Sequence, residues 1–168
     1  MLAPPINFMK WIEEHRQLLK PPVCNAQVFK EGEFIVMVVG GPNQRRDYHL
    51  DPGAEFFYQL EGRMVLRVME DGAPRDIPIE EGEIFLLPPD VPHSPQRFAD
   101  TVGIVIERQR REGEQDGLRW YCDACHAVLH EARFPLTDIT TQIAAAINAF
   151  KADEALRTCR QCGAVMTL

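Results

Sequence analysis

No apolar run in these 168 residues approaches the ~20 that a helix needs to cross a bilayer. The opening residues, Met1-Leu-Ala-Pro-Pro, carry no basic stretch ahead of an apolar core, so a secretory leader is not expected. Positive charge is in deficit: 18 Lys and Arg face 25 Asp and Glu, a formal net charge of −7. That balance opposes general nucleic-acid binding, but it says little about one local cationic cleft. Internal repeats and low-complexity tracts are absent, which removes solenoids and linker-like chains. What remains is a globular composition, 45% hydrophobic and 26% charged, long enough for one ordinary domain and a small appendage. The expectation is a soluble cytoplasmic protein with neither nucleic acid nor membrane as partner.

Cysteine is also scarce over most of the chain. Cys24 stands alone and reads as a small packing residue, or one near a pocket mouth. The other four form Cys122-Asp-Ala-Cys125 and Cys159-Arg-Gln-Cys162-Gly163. In a cytosolic chain, paired Cys-x-x-Cys motifs point to a metal before they point to disulfides. Four thiolates make a closed tetrahedral site suited to zinc or to a single rubredoxin-like iron. Such a site leaves no position for substrate, so a structural role is expected. His126 and His130 are alternative ligands that a complete shell of four thiolates does not need.

The patterning places a helix first, capped by Asn7, with Phe8, Trp11, Ile12, Leu18 and Leu19 at helical spacing and Pro21-Pro22 as its stop. From Gln27 to Arg110 the pattern is short β-rich segments between turn residues. Strands are predicted at 34–39, 55–60, 63–68, 75–79, 83–87, 94–97 and 102–108. Glu61-Gly62 reads as a hairpin, and Asp71-Gly72 marks another turn. This succession predicts a sandwich or barrel. The charged run Arg110–Gly117 reads as a linker, which divides the chain into 1–110 and 111–168. A short strand at 127–134 follows, then a helix from about Asp138 to about Leu156 with Ile139, Ile143, Ala146, Ile147 and Phe150 on its apolar face.

Three side chains carry the chemistry of the first segment. His49 and Glu55 bracket the turn Asp51-Pro52-Gly53, and His93 follows the stiff run Pro88-Pro-Asp-Val-Pro92. Two imidazoles and one carboxylate can hold a mononuclear non-haem iron(II) while leaving one face open. By residue type alone, two partly buried sheet histidines and a surface carboxylate fit equally well.

The glycine and proline frame decides between these. His49, Glu55 and Gly62 match the first cupin motif, with Asp51 where a second His usually stands and Gly41 two residues further upstream than the pattern asks. Gly82, Pro88 and His93 match the second motif, with Asp90 in place of Gly and Arg97 in place of Asn. Longer segments, from Gly40-Gly-Pro-Asn through Glu55-Phe-Phe-Tyr-Gln-Leu, Phe85-Leu-Leu-Pro-Pro, His93-Ser-Pro-Gln-Arg97 and Val105-Ile-Glu-Arg108, resemble the 3-hydroxyanthranilate 3,4-dioxygenases over nearly the whole chain, in their bacterial two-metal form.

That resemblance implies a mainly β cupin jelly-roll with an N-terminal helix and a small C-terminal rubredoxin-like four-cysteine module containing a helix. It implies Fe(II) on His49, Glu55 and His93, and a second iron or zinc on Cys122, Cys125, Cys159 and Cys162. It implies ring cleavage of 3-hydroxyanthranilate by O2 to 2-amino-3-carboxymuconate semialdehyde, feeding quinolinate and NAD synthesis or aromatic catabolism. Arg45 and Arg97 would hold the substrate carboxylate, Glu55 would border the substrate, and Glu107 would act on the phenol proton. Asp47 and Asn25 would support the pocket, and the assembly would be a homodimer. The alternatives are a cupin dioxygenase for a related aminophenol or catechol, and a non-enzymatic ligand-binding cupin.

Overall fold

Two antiparallel sheets face each other in the computed structural model, which describes residues 4–21, 24–43, 45–138 and 141–168. The first contains β1 (Asn25–Gln27), β2 (Phe34–Gly40), β9 (Val102–Arg108), β4 (Glu55–Glu61) and β7 (Ile84–Leu87), in that spatial order. The second runs β11 (Val128–Phe134), β10 (Asp116–Tyr121), β3 (Tyr48–Leu50), β8 (His93–Arg97), β5 (Met64–Glu70) and β6 (Ala73–Ile79). The jelly-roll architecture expected of a cupin is therefore present, and the predicted strand positions hold closely.

Between the sheets, Phe57, Met64, Leu66, Val68, Ile79 and Leu87 form a buried cluster, with Ile77, Phe85, Val91 and Val105 packed against it. Successive residues of a strand alternate faces, so the polar residues that share the inner face mark the functional end. Helix α1 (Phe8–His15) begins at Asn7, whose side chain accepts from the Lys10 N–H at 3.0 Å. The helix tightens to a 3-10 turn over Arg16–Leu19. Ile12 and Leu19 pack with Ala26, Val38 and Val102, covering one side of the first sheet. Of the predicted stop, Pro22 lies outside the described residues.

Two expectations change. Glu61-Gly62 is not a hairpin: β4 and β5 pair with different neighbours, and Gly62, at φ +64°, turns the chain from one sheet into the other. The true hairpin is Asp71-Gly72, where both residues have positive φ and β5 pairs with β6. The run read as a linker is the second. Its last residues begin β10, which pairs with β3 through Leu118↔His49, so the sheet continues across the boundary placed at residue 110.

The C-terminal helix is shorter than expected and broken. The Thr141 N–H donates to Asp138 Oδ1 at 3.1 Å at the start of α2 (Thr141–Ala152). Asp153 then caps a separate turn, α3 (Glu154–Arg157). Ile139 lies outside the described residues. Phe150 stacks on Trp120 at 4.3 Å between ring centroids, within a cluster that includes Leu118, Met166, Ile143 and Ile147.

Candidate metal centre and its cavity

Register brings the three expected donors together. His49 and His93 are Cα partners between β3 and β8, and Glu55 faces them from the first sheet. His93 Nε2 lies 2.9 Å from Glu55 Oε1, and His49 Nδ1 lies 3.4 Å from the same oxygen. All three side chains are buried. The turn ahead of Glu55 is held by the Gly53 N–H donating to Asp51 Oδ1 at 2.6 Å. Ahead of His93, Asp90 takes φ +60° where the cupin pattern has Gly, and its N–H donates to the Asp51 carbonyl at 2.8 Å. Asp is one of the few residues that tolerates this conformation.

The remaining ring nitrogens decide whether this set suits a cation. His93 Nδ1 sits 2.9 Å from the Val91 carbonyl, an acceptor only, so that nitrogen carries the proton. His49 Nε2 sits 2.7 Å from Asp116 Oδ2, again an acceptor. Each ring is thereby left with a lone pair on the nitrogen that faces Glu55, the tautomer a metal ligand requires. The donor set fits a divalent cation. Without one the charges rearrange: burial disfavours a cationic ring, but hydrogen bonds to Asp116 and Glu55 outweigh it and lift His49 to about 10. Glu55 is driven below the ordinary carboxylate range, its burial overcome by the positive field of His93 and bonding to both rings.

Asp51 is no third histidine substitute. It joins Glu55 and Glu107 in a second acidic set, and its Oδ2 lies 2.9 Å from Arg110. Glu107 is the Cα partner of Glu55, and burial together with the Glu55 charge pushes its carboxyl up to about 9. After burial and the Glu55 charge, a side-chain hydrogen bond with Asp51 also favours the protonated form of Glu107.

A cavity of ≈ 630 Å³ opens on these groups and is lined by Met37, Val39, Phe57, Pro95 and Val105 on its apolar sides. Arg97 enters it from β8, four residues after His93 and on the same strand face. Its guanidinium is buried, Nη1 reaches Gln59 Oε1 at 3.3 Å, and Nε has no partner. Among the described residues no carboxylate pairs with it, and burial alone lowers it to about 10. Room for this head group comes from Gly103: a Cβ there would stand 2.5 Å from Nη1 of Arg97 and 2.7 Å from Oε1 of Gln59.

Arg45 also lines the cavity, but it precedes β3 and lies in coil, so strand parity does not place it. It is half-buried and paired with Asp47. Asn25 and Cys24 stand at the cavity wall, as do Ile143, Ala144 and Ile147 of α2. The sequence reading missed Asp116, Arg110, Gln59 and these helix residues. A separate cleft of ≈ 820 Å³ shares Arg45 and Ile147 but touches none of the three donors.

The four paired cysteines form a second donor cluster. Cys122 and Cys162 sulfurs are 3.6 Å apart, as are those of Cys125 and Cys159. The two knuckles repeat one pattern. Cys122 N donates to Ala127 O and His126 N to Cys122 O; Cys159 N donates to Ala164 O and Gly163 N to Cys159 O. His126 and Gly163 both take the left-handed conformation at the equivalent position. The four thiols share protons unevenly: the Cys162 backbone N–H, ahead of that of Gln161, draws Cys159 down to about 6, whereas at Cys125 and Cys162 a favourable backbone bond is outweighed by bonding among the sulfurs and desolvation, which hold them up.

A jelly-roll with an inward-facing His-Glu-His set and a detached four-cysteine cluster defines a metal-dependent enzyme of the cupin class. Among solved structures, the chain is similar to a cupin-2 domain-containing protein of Shewanella frigidimarina, at 18% identity and a TM-score of 0.48, over 62% of this chain and 94% of that one. The family model described as 3-hydroxyanthranilic acid dioxygenase matches residues 1–151. A 3-hydroxyanthranilate 3,4-dioxygenase of Xanthomonas euvesicatoria pv. vesicatoria is 60% identical over 97% of this chain and 92% of its own length. One from Neurospora crassa is 55% identical over 97% and 90%. The chain belongs to the 3-hydroxyanthranilic acid dioxygenase family.

Proposed function

We propose that this protein cleaves the ring of 3-hydroxyanthranilate with O2, giving 2-amino-3-carboxymuconate semialdehyde, at a mononuclear Fe(II) held by His49, Glu55 and His93. The observation that carries this reading is the convergence of three buried donors in one cavity with a buried guanidinium that has no counter-ion among the described residues. Bound there, iron(II) supplies the coordination positions at which an ortho-aminophenol and dioxygen meet. The protein's own part is placement. Arg97, with Arg45 beside it, takes the substrate carboxylate and so sets which ring edge faces the metal. Glu107 offers Oε1 to the phenol proton. Burial, the Glu55 charge and Asp51 keep Glu107 protonated in the metal-free chain, and a cation held on Glu55 would weaken the second of these.

Apolar walls exclude water from the reacting groups. The four-cysteine cluster is assigned a structural iron or zinc, in a module over 111–168 that shares the barrel sheet. A homodimer is assigned to the apolar outer face of the first sheet, where Phe34, Ile84 and Leu86 are more than 60% exposed. We place the protein in the cytoplasm with neither nucleic acid nor membrane as partner; the net charge of −7 opposes nucleic acid, and no helix among the described residues is long and apolar enough to cross a membrane. The product would serve quinolinate and NAD synthesis or tryptophan catabolism.

The test is anaerobic reconstitution with Fe(II), then oxygen uptake with 3-hydroxyanthranilate, 2-aminophenol and catechol in parallel. Uptake of about one O2 per 3-hydroxyanthranilate, strongly preferred over the two rings without carboxylate, is expected. No uptake by fully loaded enzyme would refute the reading.

A further inference from the structure

Behind the metal ligands lies a buried ionic group that the proposed reaction does not use. Asp116, the first residue of β10, has no exposed surface. Its Oδ2 stands 2.7 Å from His49 Nε2. Both of its oxygens also receive the fork of Arg110, from Nε at 2.6 Å and from Nη2 at 2.6 Å. The same Nη2 lies 2.9 Å from Asp51 Oδ2 and 3.4 Å from Glu107 Oε2, while Nη1 donates to the Arg108 carbonyl at 3.0 Å. One guanidinium thus touches the support of a metal ligand and the proposed proton acceptor together.

We propose that Asp116 and Arg110 are positioning residues: Asp116 fixes the ring of His49 for metal binding, and Arg110 locks Asp116 and Glu107 into one frame. This rests on the reading that His49 is a ligand. A neutral imidazole has one N–H and one lone pair, and its ring can turn over about the Cβ–Cγ bond. An acceptor-only carboxylate at Nε2 selects one tautomer and one orientation, leaving Nδ1 toward Glu55. The register Leu118↔His49 brings β10 alongside β3, which delivers Asp116 to that ring from the inner face. A lysine could neutralise Asp116 but could not span three carboxylates from fixed directions, because its donors sit on a single point charge. Loss of such support to a ligating histidine costs roughly 10–100-fold in metal affinity or activity. Both ends of the charged run, Arg110 and Asp116, therefore support the ligand sphere.

The experiment measures Co(II) affinity of the full chain by chelator competition, with the Co(II) absorption spectrum read at saturation. The variants are Asp116→Leu, Asp116→Asn, Arg110→Met and, as a reference, His49→Ala. Asp116→Leu is expected to weaken Co(II) binding by about 10–100-fold and to shift the spectrum. Asp116→Asn, which keeps an oxygen acceptor of the same shape, should recover most of both. Arg110→Met should lower kcat more than it raises KM, since Glu107 loses its anchor and the carboxylate pocket does not. Wild-type affinity and spectrum in Asp116→Leu would overturn the proposal. Should that variant not fold, Asp116→Ala takes its place with the same expectation, and wild-type Co(II) affinity and spectrum there would overturn the proposal. Undiminished binding by His49→Ala would overturn the ligand assignment, and this proposal with it.

Discussion

Replacing Arg97 by Met separates function from fold more sharply than any other single change. Arg97 is 3% exposed, with one 3.3 Å bond to Gln59 and no partner at Nε. Burying an unpaired cation costs several kcal/mol. The bond lost on substitution is worth about 1 kcal/mol, and leaving Gln59 Oε1 unpaired costs about 1–3 kcal/mol. A side chain of similar length that carries no charge should therefore leave the melting temperature unchanged or raise it. Substrate binding should move the other way. Removing one partner of a desolvated charge pair costs about 2–5 kcal/mol, which converts to roughly 30-fold to several thousand-fold in KM. If the contact is made equally in ground and transition states, kcat stays within a few-fold. The assay is steady-state oxygen uptake with 3-hydroxyanthranilate and with 2-aminophenol, alongside thermal melts. KM for 2-aminophenol should not change, because that ring has nothing to offer Arg97. A fall in melting temperature with an unchanged KM for 3-hydroxyanthranilate would refute the reasoning and make Arg97 a structural residue.

Glu55→Ala should lose the metal of the His-Glu-His site and all turnover while the metal of the four-cysteine site stays bound; elemental analysis per chain measures this, and wild-type turnover would remove Glu55 from the ligand set. In the metal-free protein Glu107 titrates near 9, against 4.5 in the absence of its surroundings. Between those values the folded state keeps a proton that the unfolded chain has released, so stability falls as pH rises, at about 1.4 kcal/mol per unit from this group. Glu107→Gln should flatten that slope in melts from pH 5 to 9 with chelator present; parallel curves for variant and wild type would contradict the assigned cause. Leu86→Glu, at a 63% exposed position, should shift sedimentation from dimer to monomer without altering the far-ultraviolet spectrum, and an unchanged dimer would place the interface elsewhere.

Much of this architecture was legible because turns carry strong local chemistry. Asp71-Gly72 and the proline run before His93 announced themselves, and even spacing from His93 put Arg97 on the inner face. The errors have physical causes too. Glu61-Gly62 supplies the same left-handed residue to a hairpin and to a crossing between sheets, and only partner strands distinguish them. Arg110 and Asp116 sit in a run so charged that it resembles a solvated linker. Their charges in fact point inward and neutralise one another, a pairing that separation along the chain does not reveal. Ile143 and Ile147 were evident as one apolar helix face, but nothing local said that this face borders a cavity.

The berth of Arg97 is carved out by something missing. Gly103 needs no unusual backbone angle, and in a strand it reads as a weak point; its contribution is an empty volume where a methyl group would meet a guanidinium. If Arg97 binds the substrate carboxylate as proposed, that preference is encoded in two positions that must change together. An alanine at 103 displaces the cation without touching it chemically. A chain of this fold that had turned to rings lacking the acid group could fill that gap at no loss. On that proposal the pair Arg97 and Gly103 would mark the substrate's acid group, which the His-Glu-His set does not.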